Sequence, residues 1–307
     1  MSDLDLIIIG AGPAGLTAAQ YGARSNLKVL VIEQMSVGGQ ALVIDVLENY
    51  PGITANKSGY EFAMDLHKQA EDFGASFLTC AVDSLKKEGN IFTVSLSDGT
   101  TRSAASVILA TGAKPRLLDV KGEKEFTGKG VSYCATCDGN FFKNKKVFVV
   151  GGGDAACDEA RYLSRLTDKI VLIHRRDTFR AQKALVDRTL SNPNIKVRYN
   201  TVIKEIKGEA KVKSVLLADT KTNEVYEEET DAVFIFAGTV PQVSLALGLN
   251  VKLDENSYII TDQKMATNVP GLFAAGDVRS GAFRQVVTAA ADGAAAAHYA
   301  AEYIDAL

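Results

Sequence analysis

Leu4-Asp5-Leu6-Ile7-Ile8-Ile9 runs straight into Gly10-Ala11-Gly12-Pro13-Ala14-Gly15, and a helix-forming stretch follows through Arg24. The order is strand, glycine turn, helix. Glycines in such a turn let the backbone bend sharply and approach a pyrophosphate held on the N–H groups of the helix start. A second apolar run, Val29-Leu30-Val31-Ile32, then brings Glu33 to where a ribose hydroxyl would lie. Strand, loop, helix, second strand and acid together predict a dinucleotide-binding βαβ unit.

The same construction returns at Val147-Phe148-Val149-Val150, Gly151-Gly152-Gly153-Asp154-Ala155-Ala156, a helix to Leu166 and the run Ile170-Val171-Leu172-Ile173. Glu33 follows Gly10 by 23 residues, and His174 follows Gly151 by the same 23. His174 therefore stands where the first unit keeps its acid, with Arg175, Arg176 and Arg180 close behind. A carboxylate there suits a free 2′-hydroxyl, whereas guanidinium forks match the oxygens of a 2′-phosphate. Counting His174 among the cations, the second site is expected to prefer NADPH to NADH.

Each unit also ends alike, in Val107-Ile108-Leu109-Ala110-Thr111-Gly112-Ala113-Lys114-Pro115 and in Val233-Phe234-Ile235-Phe236-Ala237-Gly238-Thr239-Val240-Pro241. Between loop and ending, turn signals mark a hairpin in each, Asp98-Gly99 in the first and the polar run at residues 219–223 in the second. The segment Gly271-Leu272-Phe273-Ala274-Ala275-Gly276-Asp277 and the alanine-rich helix beyond Arg284-Gln285 have no counterpart between the units. They are expected to complete the first. The expectation is an α/β chain of two Rossmann-like nucleotide-binding domains, the second (115–241) inserted in the first (1–114 and 242–307).

Inside the inserted part lies Cys134-Ala135-Thr136-Cys137-Asp138. Two sulfurs at this spacing can close a disulfide, and such settings lower a thiol's pKa so that one sulfur serves as attacking or leaving thiolate. Asp138 beside them can move the proton. A zinc knuckle would need a second ligand pair, and Cys80 and Cys157 are isolated singles, read as small buried hydrophobes. A permanent structural disulfide is the blander alternative. It is rare in the cytoplasm, where the absence of a basic-then-apolar leader at the start of this sequence points.

At 307 residues, 47% apolar and 23% charged, the chain suits two soluble domains with substantial cores. A net charge of -3 without a long basic run argues against nucleic acid as a partner, and no apolar run approaches the roughly 20 residues that span a bilayer.

With these pieces in place, the chain resembles the bacterial low-molecular-weight thioredoxin reductases, homodimeric flavoproteins. Residues 10–15 resemble that family's FAD pyrophosphate loop, and Gly38-Gly39-Gln40 and Glu48-Asn49-Tyr50-Pro51-Gly52 its flavin-side loops. Gly276-Asp277 with Arg284-Gln285-Val286 resembles its C-terminal FAD segment. The resemblance implies that FAD is held by Gly10, Gly12, Pro13, Ala14, Gly15, Glu33, Gln34, Gly39, Gln40, Asn49, Ala110, Thr111, Gly112, Gly276, Asp277, Arg284, Gln285 and Val286. It implies that NADPH is held by Gly151, Gly153, Asp154, Ala155, Ala156, His174, Arg175, Arg176 and Arg180. By the same resemblance, NADPH passes hydride to FAD and the flavin reduces a Cys134–Cys137 disulfide. Cys137 lies against the flavin, Cys134 attacks the disulfide of thioredoxin, and Asp138 handles the proton.

The nearest rival is the flavoprotein of a peroxide-reducing system or of another disulfide protein. The peroxide-system flavoprotein carries an additional N-terminal disulfide-relay domain, for which a glycine loop beginning at Gly10 leaves no room. A ferredoxin-type reductase of the same fold would not need the cysteine pair. A binding module or redox sensor without turnover would tolerate loss of Asp138 or of either cysteine, and all three are present.

Overall fold

A computed structural model describes residues 3–44, 47, 49–53 and 57–307, apart from the side chains of Val43 and Cys137. Glu48, part of an expected flavin-side loop, and the Cys137 side chain lie outside the described residues. The chain divides into two compact units, Met1–Lys114 with Val240–Leu307, and Pro115–Thr239. The second boundary falls two residues earlier than expected. The Gln242 N–H donates to the Gly112 carbonyl at 2.9 Å, which ties the returning chain into the first unit at once.

The first unit is built on a seven-stranded sheet. Leu4–Ile9 lies between Val29–Glu33 and Thr101–Leu109, parallel to both, and Ser76–Thr79 pairs parallel with the outer side of Val29–Glu33. Successive residues of Leu4–Ile9 alternate in what they bury. Leu6 and Ile8 face a cluster formed with the helices Pro13–Arg24, Gly59–Asp72 and Val286–Asp305, while Ile7 and Ile9 face a second cluster with Phe92, Val94 and Ile259. Covering both faces explains why the inner part of this strand, Leu6 to Ile9, reads as an unbroken apolar run rather than an alternation.

The hairpin expected at Asp98-Gly99 joins Ile91–Leu96 to Thr101–Leu109, and the Asp98 carboxylate accepts from the Thr100 N–H at 2.9 Å. Leu272–Ala274 returns to pair parallel with Thr101–Leu109, so the late segment does complete the first sheet. The alanine-rich helix spans Val286–Asp305 and lies against Pro13–Arg24 so closely that a Cβ on Gly293 would sit 2.0 Å from the Ala14 carbonyl oxygen.

The second unit repeats the plan. Its parallel sheet runs Ile195–Arg198, Ile170–Ile173, Val147–Gly151, Ala232–Phe236, Val131–Ser132, and a three-stranded antiparallel sheet of Thr201–Gly208, Val212–Asp219 and Val225–Glu229 carries the hairpin expected at residues 219–223. The likeness extends to single atoms. A Cβ on Gly10 would stand 2.4 Å from the Ala110 carbonyl oxygen, and one on Gly151 would stand 2.5 Å from that of Phe236. In both units the first glycine lets the loop pass under the end of the neighbouring strand.

Candidate active site

Each glycine loop ends in a helix with no side-chain cap. Gly12 caps Pro13–Arg24 and Gly153 caps Asp154–Leu163, and neither has a side chain to satisfy the first-turn N–H groups. By contrast Ser58 and Glu61 form a full capping box on Gly59–Asp72. A Cβ on Gly12 or Gly153 would meet no atom within 4 Å. Unsatisfied helix N–H groups beside open space make an anion cradle, and both loops fit a dinucleotide pyrophosphate.

Around the first cradle, Pro13 occupies the first helical turn and Ala14 and Gly15 are buried beneath it. Glu33 accepts from the Ala11 N–H at 2.8 Å and the Met35 N–H at 3.0 Å, one on each carboxylate oxygen, so its orientation is fixed while lone pairs remain for a hydroxyl. Gln34 beside it is exposed. The Gly38 N–H bonds the Ala11 carbonyl at 2.8 Å, which lays the turn carrying Gly39 and Gln40 over the loop, and Gln40 Nε2 donates to the Ala113 carbonyl at 2.6 Å. Thr111 Oγ1 donates to Gln242 O at 2.7 Å, closing the stretch from Ala110 to Gly112 against the returning chain.

The late segment joins the same cradle. Asn49 Nδ2 donates to Gln285 Oε1 at 2.9 Å, and Gln285 stands as N-cap just before Val286 opens the long helix. The Arg284 guanidinium lies 4.3 Å over the Tyr258 ring. Gly276 N–H donates to Asp292 Oδ2 at 3.2 Å, and Asp292, buried, is gripped through both oxygens by Arg279 at 2.9 Å. Asp277 follows, with no hydrogen-bond or ion-pair partner among the described residues. Burial pushes its carboxyl pKa up, Arg284 pulls it down and Asp292 pushes it up again. Such a half-buried carboxyl can take a ligand hydroxyl. The sequence gives no sign of Asp292 or Arg279, because neither belongs to a motif.

At the second cradle the structure corrects one expectation. His174 is not a cation available to a phosphate. It is only 5% exposed, its ring stacks on Phe179 with centroids 5.6 Å apart, and it fills the space where a Cβ on Gly152 would stand. Burial lowers its pKa, and Arg180, Arg175 and Arg176 lower it further against a hydrogen bond to the Thr178 backbone. The imidazole stays neutral near pH 7 as a packing piece under the loop. The three arginines are exposed, and none pairs with a carboxylate among the described residues. They are held in place through backbone: the Arg180 N–H donates to Gly152 O at 2.7 Å and the Asn200 N–H to Arg176 O at 3.1 Å. Asp154 opens the helix that continues through Ala155 and Ala156, yet its carboxylate is engaged by Gln182, a residue for which the sequence carries no signal.

Cys134 follows the strand Val131–Ser132 and leads into the one-turn helix Ala135–Asp138. Its sulfur is disulfide-bonded, whereas Cys80 and Cys157 are free. Cys157 is buried as expected; Cys80 is only partly so, because it lies just past the end of Ser76–Thr79 beside Ser97. The Ser132 hydroxyl both accepts from the Cys134 N–H and donates to its carbonyl, each at 3.1 Å. Asp138 N–H closes the turn on the Cys134 carbonyl at 3.3 Å. Gly139 packs on Leu163 and Leu166, so the cysteine turn rests on the helix that begins at the second glycine loop.

No helix among the described residues is long and apolar enough to cross a membrane. The family described as pyridine nucleotide-disulphide oxidoreductase matches residues 4–293. A thioredoxin reductase of Treponema pallidum is 56% identical over 306 residues, covering 100% of this chain and 99% of that one, and one of Peptoclostridium acidaminophilum is 45% identical over 98% and 97%. Among solved structures, the Lactococcus lactis thioredoxin reductase superposes with a TM-score of 0.96 at 40% identity, covering 99% of this chain and 100% of that one. With two glycine-loop units, one inserted in the other and carrying a cysteine pair, and with these relatives matched over 98–100% of its length, the chain belongs to the pyridine nucleotide-disulphide oxidoreductase family, on its thioredoxin reductase branch.

Proposed function

We propose that the chain is an NADPH-dependent thioredoxin-disulfide reductase. FAD held by the first unit and NADPH held by the second supply hydride chemistry that brings two electrons to the cysteine pair. The remaining work falls to the chain's own residues. The uncapped helix starts at Gly12 and Gly153 bind the pyrophosphates, Glu33 and Asp277 take hydroxyls, and Arg175, Arg176 and Arg180 take the 2′-phosphate. In the exchange step the Cys134 thiolate attacks one sulfur of the thioredoxin disulfide, forming a mixed disulfide and releasing one thioredoxin thiolate. Cys137 then attacks Cys134, restoring the Cys134–Cys137 disulfide and releasing the second, with Asp138 moving the proton.

The observation that carries this reading is the disulfide at Cys134 on a turn seated against the helix of the second glycine loop. The cysteines and the NADPH cradle share one unit while the FAD cradle belongs to the other, so the inserted unit rotates between half-reactions. Assembly as a homodimer, which rests on the resemblance, and a place in the cytoplasm belong to the same proposal. The test is oxidation of NADPH that requires oxidised thioredoxin, read through thioredoxin's reduction of insulin; flavin-loaded protein that leaves every thioredoxin oxidised would refute it.

A further inference from the structure

Glu123 is fully buried in the inserted unit, close to the cysteine turn but outside every motif. Its carboxylate accepts from the Leu118 N–H at 2.9 Å, the Asp119 N–H at 2.6 Å and the Tyr133 hydroxyl at 2.8 Å. A buried carboxylate is costly unless its lone pairs are met, and three donors meet this one. The loop bearing it is itself pinned to the sheet. The Ile206 N–H donates to Lys121 O at 2.9 Å, and a Cβ on Gly122 would stand 1.9 Å from the Ile206 carbonyl oxygen. Thr127 Oγ1 holds the Glu123 carbonyl from the other side at 2.8 Å.

Tyr133 immediately precedes Cys134. We infer that Glu123 is a positioning residue for the redox turn: through Tyr133 it fixes the chain entering Cys134 and so holds that sulfur where a disulfide closes readily. The inference rests on reading Cys134 as the exchanging thiol. Burial and the neighbouring carboxylate raise the Tyr133 pKa, so the phenol stays protonated and donates throughout the working pH range. One residue earlier, the Ser132 hydroxyl clamps the Cys134 backbone. Cys134 is thus approached by two held residues, one anchored in the ladder to Ala232–Phe236 and one anchored in Glu123. A core group serving packing alone would not need to reach the residue next to the sulfur.

The test compares full-length, FAD-loaded wild type with Glu123→Gln, Tyr133→Phe and the double variant. Each is equilibrated without air or NADPH against graded dithiothreitol buffers, and the oxidised fraction of Cys134 is read by thiol tagging and peptide mass. Each single change should lower the constant for closing the disulfide about fivefold, roughly the worth of one hydrogen bond. The double variant should lose no more than the worse single one, because the amide of Glu123→Gln meets the Asp119 N–H with an N–H of its own and so displaces the acceptor that Tyr133 uses, and both changes act on one link. Flavin bleaching by NADPH should keep its wild-type rate. An unchanged constant in Glu123→Gln, or losses that multiply in the double variant, would overturn the inference. If Glu123→Gln fails to fold, Tyr133→Phe carries the test alone, since it spares both backbone bonds to Glu123, and an unchanged constant there overturns it equally. The equilibrium involves no thioredoxin, so failure of wild type to reduce thioredoxin would count against the proposed function without touching this measurement.

Discussion

Asp154 accepts the Gln182 backbone N–H on one carboxylate oxygen at 2.8 Å and the Gln182 side-chain amide on the other at 2.7 Å. With the Arg180 N–H bonded to Gly152, this clamps the arginine segment to the glycine loop at two points. On the proposed function, Asp154 serves NADPH binding through another residue, Gln182. Asp154→Ala frees the segment, and since hydrogen bonds to a charged group are worth about 1.5–3 kcal/mol when sheltered and less when exposed as here, the KM for NADPH should rise about fivefold. The kcat at saturating NADPH should hold, and a kcat that fell with KM unchanged would contradict the clamp.

Arg175 and Arg176 should carry the preference between the two nicotinamide cofactors. Replacing both with alanine removes two charge-assisted contacts, which should raise the KM for NADPH by tenfold or more, a change of about 1.4 kcal/mol or greater. The KM for NADH should barely move. Equal losses for both cofactors would show that the arginines shape the loop rather than read the phosphate.

His174 gives a pH test with a definite sign. Its pKa is depressed in the folded chain, so the unfolded state takes up its proton first as pH falls below the ordinary 6.5. Its contribution to stability is therefore whole above that value and declines as pH drops toward the folded pKa. His174→Phe should flatten the stability loss in that window and leave the KM for NADPH free of any step between pH 6.5 and 8. Affinity for NADPH that strengthened as pH fell through 6.5 would return His174 to the list of cations.

How far the sequence carried can be judged from these same residues. Both glycine loops, both hairpins and the inserted order were legible because each is written locally, in apolar runs punctuated by glycine and turn residues. The register that placed His174 opposite Glu33 was legible too, but its charge was not. That depends on Phe179 closing over the ring, which is a tertiary fact. Glu123, Gln182 and Asp292 were missed for a related reason. Each is a single polar residue whose role exists only because folding brings a partner to it, and no spacing or composition marks it beforehand.

Glu228 sets a second pH window in the inserted unit. Burial pushes its pKa up, but hydrogen bonds and charge from Arg198 and Lys146 outweigh burial and bring it down to about 2. A depressed carboxylate stabilises the fold above its unfolded value of 4.5 and loses that contribution as pH falls through about 2. The shift is worth about 3 kcal/mol at most. Glu228→Gln should lower stability at pH 7 and make the unfolding midpoint less sensitive to pH below 4.5. A variant whose acid unfolding curve overlays the wild type would show that the ion group contributes nothing.

Gly12→Val separates a ligand clash from a folding defect. The backbone at Gly12 has φ of -74°, which any residue adopts, and a Cβ there meets no protein atom within 4 Å. The fold should therefore survive the change while the pyrophosphate loses its space, leaving a colourless protein with wild-type circular dichroism. A yellow, fully flavinated variant would move the FAD cradle elsewhere.

The proposed rotation can be tested at the two places where the chain passes between units. Gly112, with φ of +67°, and Gly238, with φ of +105°, stand beside these crossings in the left-handed region, where a side chain is strained even though a Cβ would meet nothing within 4 Å. Few-residue segments of this kind absorb the dihedral changes of hinge motions. On the proposed assignment the cysteine pair and the nicotinamide site belong to one unit, and two groups on one rigid body cannot take turns at the same contact with the flavin unless that body turns. Joining the units by a short covalent crosslink should therefore leave one half-reaction intact and abolish the other. In one locked form NADPH would bleach the flavin but thioredoxin would stay oxidised; in the other, reduced dithiol would exchange electrons with the flavin while NADPH could not. Cutting the crosslink should restore turnover. A locked enzyme that oxidised NADPH and reduced thioredoxin at the wild-type rate would exclude the rotation and require both reactants to reach the flavin in a single arrangement.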